Sequence, residues 1–135
     1  MAIDIHKAGG IIIQNRQLLL TRSKGKDFFI APGGKLEKGE TPKQSLIREL
    51  REELQIRVAE DDLKEFGSFS AIAAGSDGKT LQMDVYFVGK YGGEITPSSE
   101  VDEVQWVTST VTGITIGSIF EHEVIPKLLS QGLID

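Results

Sequence analysis

Apolar and polar positions along the chain mark out most of its elements. Ile3 to Ile13 and Gln17 to Arg22 are apolar-rich runs separated by the polar stretch Gln14-Asn15-Arg16, which predicts two strands around a short turn. Lys24 to Asp27 reads as a polar loop, and Ala31-Pro32-Gly33-Gly34 as a rigid, then permissive, backbone segment. A helix is predicted from Pro42 to about Leu54, with Thr41 as N-cap and Pro42 where a missing N–H costs nothing. Leu63 to Ala73 and Thr80 to Val88 are again apolar-rich, and the Asp-Gly pair within Gly75 to Lys79 signals a hairpin turn between them. Val101 to Val107 reads as a further strand. A last helix is predicted from about Ser118 to Ser130, where Ile119, Val124, Ile125, Leu128 and Leu129 recur at helical spacing. Strands with helices in the middle and at the end place the fold in the α+β or α/β class.

The predicted central helix has an uneven surface. At about 100° per residue, Leu46, Ile47, Leu50 and Leu54 form one apolar stripe. Glu49, Glu52 and Glu53 form a face directly beside it, and Arg48 and Arg51 project away from that face. Three carboxylates so close together repel one another. Two arrangements tolerate this. One is a solvated acidic face. The other is a divalent-metal site, because hard cations take oxygen ligands and bridge them to phosphates. Proximity to the core edge and the preceding glycine-rich turn, where backbone approaches a ligand closely, favour the metal site.

Composition narrows the functional classes. With 135 residues the chain suits one domain over residues 1–135, with a core of its own. It has no cysteine, which excludes disulfides and thiolate zinc sites. The formal net charge of −5 argues against broad contact with a nucleic-acid backbone. No apolar run is long enough to span a bilayer, and the N-terminus lacks signal-peptide order. The expectation is a cytoplasmic protein that binds neither nucleic acid nor membrane, as a monomer or homodimer.

From Gly34 to Ile56 the chain reads GKLEKGETPKQSLIRELREELQI. This resembles the Nudix box, G-x5-E-x7-R-E-U-x-E-E-x-G-U, with U a bulky aliphatic. Gly34, Glu40, Arg48, Glu49, Leu50, Glu52, Glu53 and Ile56 match. Six fixed letters agree by chance on the order of once in 10⁷ positions. Pro32-Gly33 before the box, Glu103 to Trp106 and the closing helix extend the likeness to small MutT-type Nudix proteins. The family's second glycine falls at Gln55, where the helix normally ends in a left-handed conformation. A non-glycine residue there costs roughly 1–2 kcal/mol.

The resemblance implies an α+β fold, an α/β/α sandwich in which a mixed sheet flanked by helices bears a catalytic loop-helix-loop. It implies hydrolysis of a nucleoside diphosphate linked to another group. Mg²⁺ or Mn²⁺ would be held by Glu49, Glu52 and Glu53, helped by the Gly34 carbonyl and Glu40. Glu52 or Glu53 would serve as ligand and base, with Glu100 and Glu103 as further candidates for the base. Arg48 would orient a box carboxylate or form a structural ion pair. Arg22 and Lys35, with Lys24 and Lys26, are candidates for phosphate contacts. Phe29 is a candidate for the base pocket or for the core, and Trp106 for the core. Nudix ADP-ribose hydrolases usually carry a proline beyond the box, near Ala71, and diadenosine polyphosphate hydrolases a tyrosine near Ile72, Ala73 and Ala74. Neither is present. The chain looks most like a MutT-type nucleoside triphosphate pyrophosphohydrolase. The alternatives are a hydrolase of another nucleotide such as ADP-ribose and a nucleotide-binding sensor module without activity. The isoprenyl diphosphate isomerases of the same fold class usually need a catalytic cysteine.

Overall fold

A computed structural model describes residues 3–72 and 78–135. The expected turn within Gly75 to Lys79, together with Ala73 and Ala74, falls largely outside the described residues. Four strands form a mixed sheet. β1 (Ile5–Ile11) lies between β5 (Gly33–Lys35), antiparallel to it, and β7 (Thr80–Val88), parallel to it, and β6 (Leu63–Ile72) pairs with β7 at the edge. A second sheet orders β2 (Ile13–Gln14), β3 (Gln17–Ser23) and β8 (Val101–Val107). The short strands β4 (Phe28–Phe29) and β9 (Thr115–Ile116) run parallel as a third pair. The run expected as one strand, Ile3 to Ile13, is therefore divided, because the chain leaves one sheet at Ile11 and enters the other at Ile13. Asn15 and Arg16, both with positive φ (52° and 60°), make the β2–β3 turn.

The core has two layers that share these strands. Ala8, Ile12 and Leu19 pack with Leu46, Leu50 and Leu54 of helix α1 (Pro42–Leu54). Ile11, Leu18 and Leu20 pack with Phe120, Val124 and Leu128 of the closing helical segment. Alternation along β1 and β3 sends neighbouring residues to opposite layers, so both faces of these strands are apolar.

Helix α1 begins as predicted. The Thr41 hydroxyl accepts from the Gln44 N–H at 3.2 Å, and the Gln44 side chain accepts from the Thr41 N–H at 3.0 Å. It ends at Gln55, which does adopt the left-handed conformation (φ 58°, ψ 32°) and donates its N–H to Arg51 and Leu50 carbonyls. The helix end keeps its geometry and the side chain bears the strain. Gln55→Gly is accordingly expected to raise stability by about 0.5–1 kcal/mol, the relief of strain being partly offset by glycine's greater unfolded-state entropy. Chemical denaturation of the two proteins checks this.

The closing segment is helical over 118–130, as predicted, but a π-turn at Phe120–Val124 precedes α2 (Ile125–Ser130). Pro126 explains the turn: its ring has no N–H to donate and would clash with the carbonyl four residues back. No helix among the described residues is long and apolar enough to cross a membrane.

Candidate active site

The carboxylates of α1 meet the Gly33-Gly34 turn. Glu53 Oε1 accepts the Gly33 N–H at 3.0 Å. Gly34 lies so close to Glu49 that a Cβ there would stand 2.2 Å from Glu49 Oε2. Ser45, fully buried, donates from its hydroxyl to the Lys35 carbonyl at 3.3 Å and ties the helix to β5. At the far end, the Ser98 N–H donates to the Glu53 carbonyl and the Thr96 N–H to that of Leu54, both at 2.9 Å. The helix is thus tied to β5 on one side and, at its C-terminal end, to the segment 96–98.

Arg48 gathers the other acidic side chains. Its guanidinium donates to Glu40 at 2.7 and 3.0 Å, to Glu49 at 2.5 Å and to Glu52 at 3.3 Å, and reaches the Lys35 carbonyl at 3.3 Å. The helical wheel sets Arg48 apart from the acidic face, but its length lets it fold back over the adjacent Glu52 position. Glu49 and Glu53 therefore face the glycine turn, while Glu52, half-exposed, stays on the solvent side with Arg48.

Among the described residues, no three His, Asp or Glu side chains converge at metal-holding spacing. Arg48 draws Glu49 and Glu52 one way, and the Gly33 N–H holds Glu53 another. The donor set still fits a hard divalent cation. Burial, against the Gly33 N–H and with added repulsion from Glu49 and Glu52, pushes the Glu53 carboxyl up to about 7. Burial also raises Glu49, and Arg48 only partly opposes it. These two groups are charged at a cost that a cation would offset. Glu40 behaves oppositely, since its hydrogen bonds from Arg48 and the Glu37 N–H lower it to about 2.

These opposite shifts predict a pH profile for the metal-free protein. A raised folded-state pKa contributes stability fully present below the unfolded value of 4.5 and lost as pH rises through about 7. Glu40 contributes stability present above 4.5 and lost as pH falls through about 2. Thermal unfolding without divalent ions should therefore peak near pH 5 and weaken toward pH 8. Added Mg²⁺ should stabilise far more at pH 8 than at pH 5. An equal Mg²⁺ effect at both values would show that these carboxyls do not meet the ion.

A cavity of about 340 Å³ opens beside the turn. Lys7, Gly33, Gly34 and Lys35 line one part of it, and Phe28, Met83 and Phe120 are among its apolar lining. Phe29 takes the core alternative of its two expected places, and Arg22 and Glu103 are placed differently from expectation. Phe29 is only 5% exposed and packs in the core, so its neighbour Phe28, which points the opposite way on β4, lines the cavity instead. Arg22 and Glu103 face each other across the β3–β8 pair, and Arg22 bonds Glu103 at 3.3 Å and Asp102 at 3.0 Å. Neither lines the cavity, because cross-strand register pairs the two opposite charges. Lys35 and Lys26 do line it. Lys7 went unread in the sequence, where the only signal was a cation inside an apolar strand at the same alternation as Ile5 and Gly9. Trp106 packs partly buried against the α1 layer.

Comparison with known proteins agrees with this architecture. The NUDIX domain family matches residues 4–127. The chain is 34% identical over 92 residues to the Nudix hydrolase YvcI of Bacillus subtilis, an alignment covering 67% of this chain and 57% of that protein. It is 38% identical over 95 residues to an 8-oxo-dGTP diphosphatase of Haemophilus influenzae, covering 67% of this chain and 66% of the other. A MutT NUDIX hydrolase structure from Burkholderia pseudomallei superposes with a TM-score of 0.74 at 20% identity, over 94% of this chain and 96% of that one. Family match, fold and the Gly34 to Ile56 motif coincide on the same loop and helix, and the chain belongs to the NUDIX domain family.

Proposed function

We propose that this chain hydrolyses a pyrophosphate bond of a nucleoside triphosphate. In this reading Mg²⁺ or Mn²⁺ is held by Glu49, Glu52 and Glu53, with help from Glu40 and the Gly34 carbonyl. One observation carries the reading: Gly33 and Gly34, which line the cavity, are the same residues that meet Glu53 and Glu49 of α1, so the cavity and the proposed metal ligands share one glycine turn. The name of the Haemophilus influenzae relative, 8-oxo-dGTP diphosphatase, supports a nucleoside triphosphate as substrate.

A bound divalent ion would supply neutralisation of phosphate charge and a more acidic water. The chain's own residues do the rest. In this reading Glu53, whose carboxyl burial pushes up to about 7, takes a proton from water. Glu52, on the solvent side, is the second candidate for that role. Arg48 does not line the cavity and acts by fixing Glu49, Glu52 and Glu40. Phe28 offers an aromatic side chain to a base, and Lys35 a charge to phosphate.

The test is release of phosphate or pyrophosphate from dGTP, 8-oxo-dGTP and the other dNTPs, and of AMP from ADP-ribose, with and without Mg²⁺. Release from triphosphates only with metal is expected. Tight nucleotide binding with no release from any of them would make the chain a sensor module. Preferred cleavage of ADP-ribose would reassign the substrate.

A further inference from the structure

Lys7 and Lys35 are directly opposite each other in the antiparallel β1–β5 pair. Both line the cavity, and Lys26 adds a third cation to the same lining. Like charges directly opposite on neighbouring strands destabilise a sheet. Neither Lys7 nor Lys35 belongs to an ion pair among the described residues. Burial and the Lys35 charge both lower the Lys7 pKa, against partial opposition from Glu53 and Glu49. A protein of net charge −5 thus keeps two under-compensated cations together, next to Gly33 and Gly34.

We propose that Lys7, paired across β1–β5 with Lys35, receives the terminal phosphate of the substrate and makes the site select triphosphate chains over diphosphates bonded to a second group. The proposal rests on the hydrolase reading above and adds the residue that sets the substrate class. A terminal phosphate carries about −1.5 to −2 at neutral pH, which two ammonium groups match. A phosphate bonded on both sides carries one charge and leaves one of the lysines unmatched. Lysine suits the task because it acts as a point charge and imposes no planar fork on a phosphate that rotates freely.

The test starts with binding, in the absence of divalent metal and at low ionic strength. Inorganic tripolyphosphate is titrated into wild type, Lys7→Met and Lys7→Arg by calorimetry, with ADP-ribose as the second ligand. Lys7→Met keeps the apolar stem and loses the charge. It should bind tripolyphosphate about tenfold or more weakly, leave ADP-ribose affinity unchanged, and melt no lower than wild type. Lys7→Arg should recover most of the loss. In turnover, Lys7→Met should raise KM for nucleoside triphosphates with little change in kcat. Lys7→Gln replaces Lys7→Met if the latter does not fold. Undetectable binding of tripolyphosphate to wild type, unchanged affinity in the variant, or an equal loss for both ligands would overturn the proposal. A wild type that binds tripolyphosphate through Lys7 yet hydrolyses nothing would refute the hydrolase reading and leave the phosphate site standing.

Discussion

Glu53→Gln should lower turnover by about 10²–10⁴-fold while leaving the metal-free protein as stable as wild type, or more so, at pH 8. The two effects have one origin. Glutamine preserves the shape and keeps an oxygen to accept the Gly33 N–H, which Glu53 accepts at 3.0 Å. It removes the buried charge whose cost raises this carboxyl to about 7. Relief of that cost is worth on the order of 1–2 kcal/mol above neutral pH. The same substitution takes away a proposed metal ligand and proton acceptor. Assays of turnover and thermal unfolding on one preparation decide the matter. Lost activity with lost stability would reduce Glu53 to a packing residue, and full activity would place the metal elsewhere.

Alanine at Gly33 and at Gly34 should fail in different ways. Gly33 has a φ of 140°, and a Cβ there would stand 2.0 Å from the Ala8 backbone oxygen. Backbone cannot yield without opening the β1–β5 pair, so Gly33→Ala is expected to cost about 3 kcal/mol or more. Gly34 has no positive φ, and its Cβ would meet the tip of Glu49, 2.2 Å from Oε2. A flexible carboxylate can swing aside, so Gly34→Ala should fold nearly as well as wild type. Its expected loss is about 10²-fold in turnover, because a displaced Glu49 no longer presents its oxygens to the ion. Denaturant midpoints and rates for both variants separate the two outcomes. Equal destabilisation, or an active Gly34→Ala, would contradict this account of the turn.

What could be read from the sequence follows the range of the interactions involved. The bounds of α1 come from Thr41, Pro42 and the Leu46–Leu50–Leu54 stripe, all within a few residues of what they determine. The left-handed Gln55 is legible for the same reason, as one residue standing where its pattern has glycine. The side of β4 that meets the cavity depends on pairing with β9, distant in sequence, so the sequence leaves Phe29 open between pocket and core and gives Phe28 no role. Arg22 and Glu103 have chemistry suited to a site, but β3–β8 register spends both on each other. Lys7 is invisible until β5 lies beside β1. Arg48 shows the intermediate case: its contact with Glu52 follows from helical spacing, whereas its bonds to Glu40 require the loop before the helix to fold back.

Leu18, Leu19 and Leu20 are each fully shielded from solvent, yet they answer to different layers. A wall shared in this way couples the two layers. The α1 layer cannot loosen without uncovering Leu19, and disturbing β3 also exposes the Leu18 and Leu20 surface on which the closing segment rests. Breathing of the carboxylate helix is therefore resisted by apolar area on the opposite side of the molecule. Residues of the closing segment, which pack in the layer that α1 does not touch, help set how rigidly Glu49 and Glu53 are presented.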